Sequence, residues 1–136
     1  VNQVHAIVLS GGSAFGLDAA SGVVRYLEGQ DVGFPAGPAI VPIVSSAILF
    51  DLGLITHEVR PGYEEGLAAC EAANTGPLDE GSVGAGTGAT VAKARGIDAA
   101  VKCGIGSASL RLPGGAVVAA VVAVNAYGGV YDYKTG

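Results

Sequence analysis

The stretch LSGGSAFGLDAASG, from Leu9 to Gly22, places a serine between paired glycines and the start of an amphipathic run. Two readings compete for Ser13. In a nucleophile elbow, G-x-S-x-G, glycines flank the serine because the strand-to-helix bend leaves no room for side chains. Gly11 fits the first position, but Phe15 stands where the second glycine belongs and Gly16 comes one residue late. The other reading is a glycine-rich turn that ends a buried strand and begins a helix, with Ser10 or Ser13 near the N-cap. The failed spacing favours the turn. A strand is therefore expected over His5 to Leu9. A helix is expected over Ala14 to Glu28, where Leu17, Ala20, Val24 and Leu27 share one face and Asp18, Ser21, Arg25 and Glu28 another. Gly29 is expected to end it.

Further along, GFPAGPAIVP carries Pro35, Pro38 and Pro42, which forbid a regular helix or a central strand and predict an ordered loop of the kind that lines pockets. SSAILFDL, from Ser45 to Leu52, reads as a second apolar strand. Gly62 to Asn74 reads as a second helix, with Tyr63, Leu67, Cys70 and Asn74 along one face. In GSVGAGTGATVAK, Gly81, Gly84, Gly86 and Gly88 recur without a proline, so the backbone must bend repeatedly or approach something closely. IGSASLRLPGGAVVAAVVAVNAYGGV is two apolar β segments joined by Pro113, Gly114 and Gly115, the composition of a hairpin turn. Strand, helix, strand, helix and then a β-rich second half predict an α/β (α+β) chain built as a layered sandwich rather than a simple doubly wound sheet.

With 136 residues the chain can build one core, and a single domain over 1–136 is expected. Half of it is apolar and 14% is charged, yet no uninterrupted apolar run reaches the roughly 18 residues of a membrane span. The net charge of −5 and the absence of a Lys/Arg cluster leave nothing to neutralise phosphates, so no nucleic-acid partner is expected. Cys70 and Cys103 lack C-x-x-C spacing and read as reduced, buried small residues. His5 and His57 are the only histidines and have no metal-ligand spacing, so neither a metal nor a cofactor is expected. The start at Val1, with no charged leader in view, and the end in YDYKTG give two further expectations: a cytoplasmic location and a piece of something longer.

The Gly81–Lys93 run superficially resembles a P-loop but fails on detail, because Lys93 follows Gly88 by five residues and is itself followed by Ala94. G-x-G-x-x-G is absent as well. A Ser13, Asp51, His57 triad would have the α/β-hydrolase chain order but needs the missing elbow. Lys93 is either a solvated loop end or, partly buried among small residues, an amine able to act as a base or to orient a nucleophile. Asn125, after four aliphatic residues, is either strand-end turn chemistry or an amide donor to an oxyanion.

Together, LSGGSAFGLDAASGVVRYLE, GFPAGPAIVPIVSSAILFDL, GSVGAGTGATVAK and GSASLRLPGGAVVAAVVAVNAYG resemble the DmpA-type self-cleaving aminopeptidases, a family that includes β-peptidyl aminopeptidases and the nylon-oligomer hydrolase branch. The resemblance covers essentially the whole chain and matches the interior of the family's α fragment. It implies a four-layer αββα sandwich of the N-terminal-nucleophile-hydrolase type. It implies amide hydrolysis by a Ser or Thr on a complementary β fragment, in a homo-oligomer of αβ units acting on small peptides or amides. By position it assigns Lys93 to the lysine that contacts the nucleophile and Asn125 to the oxyanion hole. Phe50 falls where the nylon-hydrolase branch has a tyrosine, which suggests a more apolar pocket. Ser13 has no catalytic role in the resemblance and, with Phe15, is expected beside the substrate pocket. A non-catalytic structural or binding homologue of the same fold is the alternative.

Overall fold

The computed structural model describes residues 2–136. In chain order its elements are β1 (Ala6–Ser10), α1 (Ala19–Gly29), β2 (Phe34–Ala36), β3 (Ala39–Val41), β4 (Val44–Ile48), α2 (Tyr63–Ala72), β5 (Thr90–Val91), β6 (Val101–Lys102), β7 (Ile105–Arg111) and β8 (Val117–Ala123). Short 3₁₀ segments cover Ser13–Asp18, Gly84–Gly86, Lys93–Arg95 and Ile97–Ala99. The mixed helix and strand content is that of an α+β chain. No helix among the described residues is long and apolar enough to cross a membrane.

β1 and β4 run parallel, from Ala6 opposite Val44 to Ser10 opposite Ile48. The pair is pinned at its start by His5, whose N–H donates to the Ile43 carbonyl at 2.8 Å while its Nδ1 accepts the Ile43 N–H at 3.0 Å. β4 begins and ends earlier than the apolar run suggests, because Leu49 to Leu52 turn away to meet the segment after β1. The proline-bearing stretch, expected as an ordered loop, is instead a short antiparallel ribbon, β2 with β3, in which Pro35 faces Ile40. An exposed two-stranded ribbon tolerates a residue with no N–H, where a central strand would not.

The predicted first helix opens as a 3₁₀ turn and becomes α-helical only at Ala19. Its buried face is Ala19, Gly22 and Val23, one position off the leucine-bearing stripe, and Leu17 is exposed. Small residues explain the shift. Gly22 lies against the Tyr63 carbonyl and Gly66 against that of Ala19, so a Cβ at either would collide with the opposing backbone. The two helices therefore cross on their glycines. Gly29 is the last residue of α1, but the left-handed residue after it is Asp31 at φ 57°. α2 is capped by Glu65, whose carboxylate accepts the Gly62 N–H at 2.9 Å. Its more covered side is Gly66, Leu67 and Cys70, while Tyr63 and Asn74 are exposed.

The hairpin at 105–123 follows its sequence pattern. β7 and β8 pair from Ile105 opposite Ala123 to Arg111 opposite Val117, with Gly114 and Gly115 left-handed in the turn. Leu110, Val117, Val118, Val121 and Val122 are all exposed, so both faces of this ribbon are open. The small core lies elsewhere, where Leu49, Ala85 and Ala89 pack with Leu9, Cys103 and Ala123. It joins the ends of β1, β4 and β8 to the glycine-rich segment.

Candidate functional site

Around that core the chain assembles the residues singled out from the sequence. Lys93 opens a 3₁₀ turn directly after Ala92, which is held left-handed at φ 61°. The lysine is buried, with 9% of its surface exposed, and the solvated-loop alternative is therefore excluded. Its Nζ donates to the Thr90 carbonyl at 2.6 Å and to Thr90 Oγ1 at 3.2 Å. Thr90, at 1% exposure, is fully buried. No carboxylate pairs with Lys93 among the described residues. An ammonium has three N–H donors, and Thr90 occupies two of its directions.

Two backbone bonds bring Asn125 into the same region. Ala92 N–H donates to the Gly128 carbonyl at 2.7 Å and Ala94 N–H to the Tyr127 carbonyl at 3.2 Å, so the residues flanking Lys93 lie against the stretch that follows Asn125. Asn125 itself is exposed but not free to rotate. Its Oδ1 accepts the Phe50 N–H at 3.1 Å and its Nδ2 donates to the Ile48 carbonyl at 3.4 Å. A backbone donor on one side and a backbone acceptor on the other fix which end of the amide is oxygen, and one N–H of Nδ2 remains uncommitted. Phe50 keeps its ring exposed.

The glycine-rich segment approaches other backbone closely, as its composition requires. Gly86 lies against the Gly81 carbonyl, and Gly88 lies against Asp51 with no room for a Cβ. Lys102 braces the segment, donating from Nζ to the Gly86 carbonyl at 2.8 Å and also to the Cys103 carbonyl.

Ser13 sits in a strand-to-3₁₀ turn at φ 52°. Its N–H donates to the Leu49 carbonyl at 3.0 Å, and its buried Oγ has no hydrogen-bond partner. No histidine or carboxylate reaches it. His57 is exposed and gives only its carbonyl, to Arg60, while Asp51 accepts the Gly12 N–H, so the Ser13, Asp51, His57 triad does not form. Phe15 is exposed and carries the Arg60 guanidinium 4.1 Å above its ring. An apolar cavity of about 500 Å³ opens between β1 and α2, walled by residues such as Ile7, Leu9, Gly66, Ala69 and Cys70. Neither Ser13, Phe15, Phe50, Lys93 nor Asn125 lines it. Burial, and secondarily the charge of Glu71, push the Cys70 thiol above its ordinary pKa. Asp51, half-buried, is legible in the sequence only as a triad candidate; its contacts with Gly11, Gly12 and Gly88 have no local signal.

Peptidase family S58 matches residues 1–133. An uncharacterized aminopeptidase of Mycobacterium leprae is 41% identical over 143 residues, which takes in all of this chain and 38% of that protein. An uncharacterized aminopeptidase of Mycobacterium tuberculosis is 41% identical over 136 residues, all of this chain and 37% of that protein. A 6-aminohexanoate-oligomer endohydrolase of Kocuria sp. is 36% identical over 132 residues, 97% of this chain and 36% of that protein. The chain thus spans well under half the length of the curated relatives it matches.

Proposed function

The chain belongs to peptidase family S58, and from that footing we propose that it forms part of an amide hydrolase, supplying Lys93 and the Asn125 amide to a Ser or Thr nucleophile carried on another segment. The observation that carries this is the arrangement of two anchored donors in neighbouring segments. Lys93 is a buried amine held from one side by Thr90, and Asn125 is an amide held by Phe50 and Ile48 with an N–H to spare. Aminopeptidase and oligomer endohydrolase are the activities named for the relatives, and both cut amide bonds.

In the proposed reaction the nucleophile's hydroxyl oxygen attacks the amide carbonyl carbon and its proton passes to the nucleophile's own α-amine, with Lys93 orienting the hydroxyl. Charge develops on the carbonyl oxygen, where the free Asn125 N–H stabilises it more than it stabilises the ground state. The C–N bond breaks as the amine takes the proton. Water then attacks the acyl ester and releases the acid.

The nucleophile-bearing segment is proposed to arise by self-cleavage and to pack on the open β7–β8 ribbon, completing a four-layer αββα sandwich in an oligomer of such units. Intact-mass spectrometry of the protein purified from its complete gene tests this. Two co-purifying fragments, the second beginning at Ser or Thr, are expected. A single uncut chain that still hydrolyses peptide or nitroanilide amides would overturn the self-cleavage reading, and wild-type rates in both Lys93→Met and Asn125→Ala would leave only a non-catalytic role for this segment.

A further inference from the structure

Asp51 follows Phe50, the residue whose N–H holds Asn125. Its Oδ1 accepts the Gly12 N–H at 2.7 Å. Its Oδ2 fills the place that a Cβ would take at Gly11 and at Gly88. The Asp51 carbonyl accepts the Leu54 N–H at 3.1 Å, which closes the turn around it. No cation pairs with the carboxylate among the described residues. The group is held by one backbone donor and by packing against two glycines.

Three segments meet at this one side chain. Gly11 and Gly12 form the turn after β1. Leu49 to Asp51 form the turn after β4, whose Leu49 carbonyl accepts the Ser13 N–H and whose Phe50 anchors Asn125. Gly88 lies two residues before Thr90, the acceptor for Lys93. The segments that carry the supports of both candidate catalytic groups therefore converge on the same carboxylate. A surface carboxylate has no such geometry, and an alanine there would leave Gly88 and Gly12 with nothing to register against.

We propose that Asp51 is a positioning residue: it keys Gly12 and Gly88 against the Leu49–Asp51 turn and so fixes the Asn125 amide relative to Lys93. The proposal rests on the amide-hydrolase reading above. Displacements of about 1 Å in such an arrangement cost up to about 100-fold in rate. Asp51→Ala in the complete, processed protein is therefore expected to lower kcat by about 10- to 100-fold, with KM moved by less than about threefold. Asp51→Asn keeps an oxygen for the Gly12 N–H and the same shape between the glycines, and it is expected to restore kcat to within about fivefold of wild type.

The decisive measurement is the double-mutant cycle with Asn125→Ala. If Asp51 acts through that amide, adding Asp51→Ala to Asn125→Ala slows kcat by no more than about threefold further. Fully multiplicative losses would overturn the proposal, as would wild-type kcat in Asp51→Ala beside a slow Asn125→Ala. Wild-type kcat in Asn125→Ala itself would instead overturn the active-site reading on which the proposal stands. Should Asp51→Ala not fold, Asp51→Ser, equally too short to reach both glycines, enters the same cycle with the same expected outcomes.

Discussion

Asn125 Oδ1 accepts the Phe50 N–H at 3.1 Å across 75 positions of sequence. The oxygen secures the amide to one strand end, and the nitrogen donates to the Ile48 carbonyl at 3.4 Å while keeping its second N–H uncommitted. Asn125→Ala removes both. Its kcat is expected to fall by about 10²- to 10³-fold, the cost typical of one lost oxyanion donor, with KM little changed. Asn125→Asp keeps the acceptor for Phe50 but loses both the Ile48 bond and the free donor and sets a carboxylate oxygen against the Ile48 carbonyl, so it should lower the urea midpoint and lose at least as much rate. Comparing kcat with the unfolding midpoint for both variants checks this; a lowered midpoint with normal kcat would make Asn125 a strand-end residue only.

Lys93→Met replaces the amine with an apolar chain of similar length and leaves the Thr90 carbonyl and hydroxyl without their partner. On the reading proposed above one amine serves both self-cleavage and hydrolysis, so both are expected to slow. Thr90→Val deletes only the 3.2 Å contact and keeps the carbonyl, so its loss of rate should be the smaller of the two. Precursor processing followed by gel, alongside steady-state turnover, ranks the three proteins.

Two helix glycines should respond to alanine with opposite signs. At Gly66 a Cβ would strike the Ala19 carbonyl, and overpacking of this kind costs about 1–3 kcal/mol, more than the helix propensity of alanine returns. At Gly29 nothing lies within 4 Å, and Gly29→Ala should stabilise by about 0.4–1 kcal/mol. Urea unfolding midpoints of the complete protein decide both.

Glu80 accepts the Ser107 N–H at 2.7 Å and its hydroxyl at 2.6 Å, tying the start of the glycine-rich segment to β7. The Ser107 hydroxyl, then the backbone N–H, hold the Glu80 carboxyl below its ordinary pKa. A depressed carboxyl stabilises the folded state fully above its unfolded pKa and loses that contribution as the pH falls through the folded one. The stability gap between wild type and Glu80→Gln should accordingly be open at about pH 6 and shrink on acidification toward about pH 3. Urea midpoints across that range test it, and a gap independent of pH would count against the tie.

Where a signal was local, the sequence carried it. Pro113, Gly114 and Gly115 marked the hairpin, Gly11 and Gly12 marked the end of β1, and Lys93 stood out as a rare cation among small residues. The helix–helix face was misplaced by one position because hydrophobic periodicity counts leucines, whereas the contact forms where Gly22 and Gly66 let two backbones touch. The prolines at 33–42 excluded a central strand and could not distinguish a loop from an exposed ribbon. The anchors of Asn125 and the neighbours of Asp51 are set by residues far off in sequence, so no motif could announce them. The resemblance to the DmpA-type family named the two residues; the structure shows how each is held.

The spacing between Phe50 and Asn125 also fixes an order of events. The β7–β8 hairpin closes over the five residues between Arg111 and Val117 and, as a local structure, can form within about 1–10 μs. The bond that seats Asn125 must wait for β4 to be laid beside β1 and for the intervening helix, glycine-rich segment and hairpin to settle, a non-local closure that ranks among the slow steps of folding. An uncommitted amide donor is therefore one of the last features the chain acquires. A half-folded chain holds the hairpin before the Asn125 amide is seated, so on the reading proposed above any amide cleavage that draws on this donor would be timed to the completion of folding.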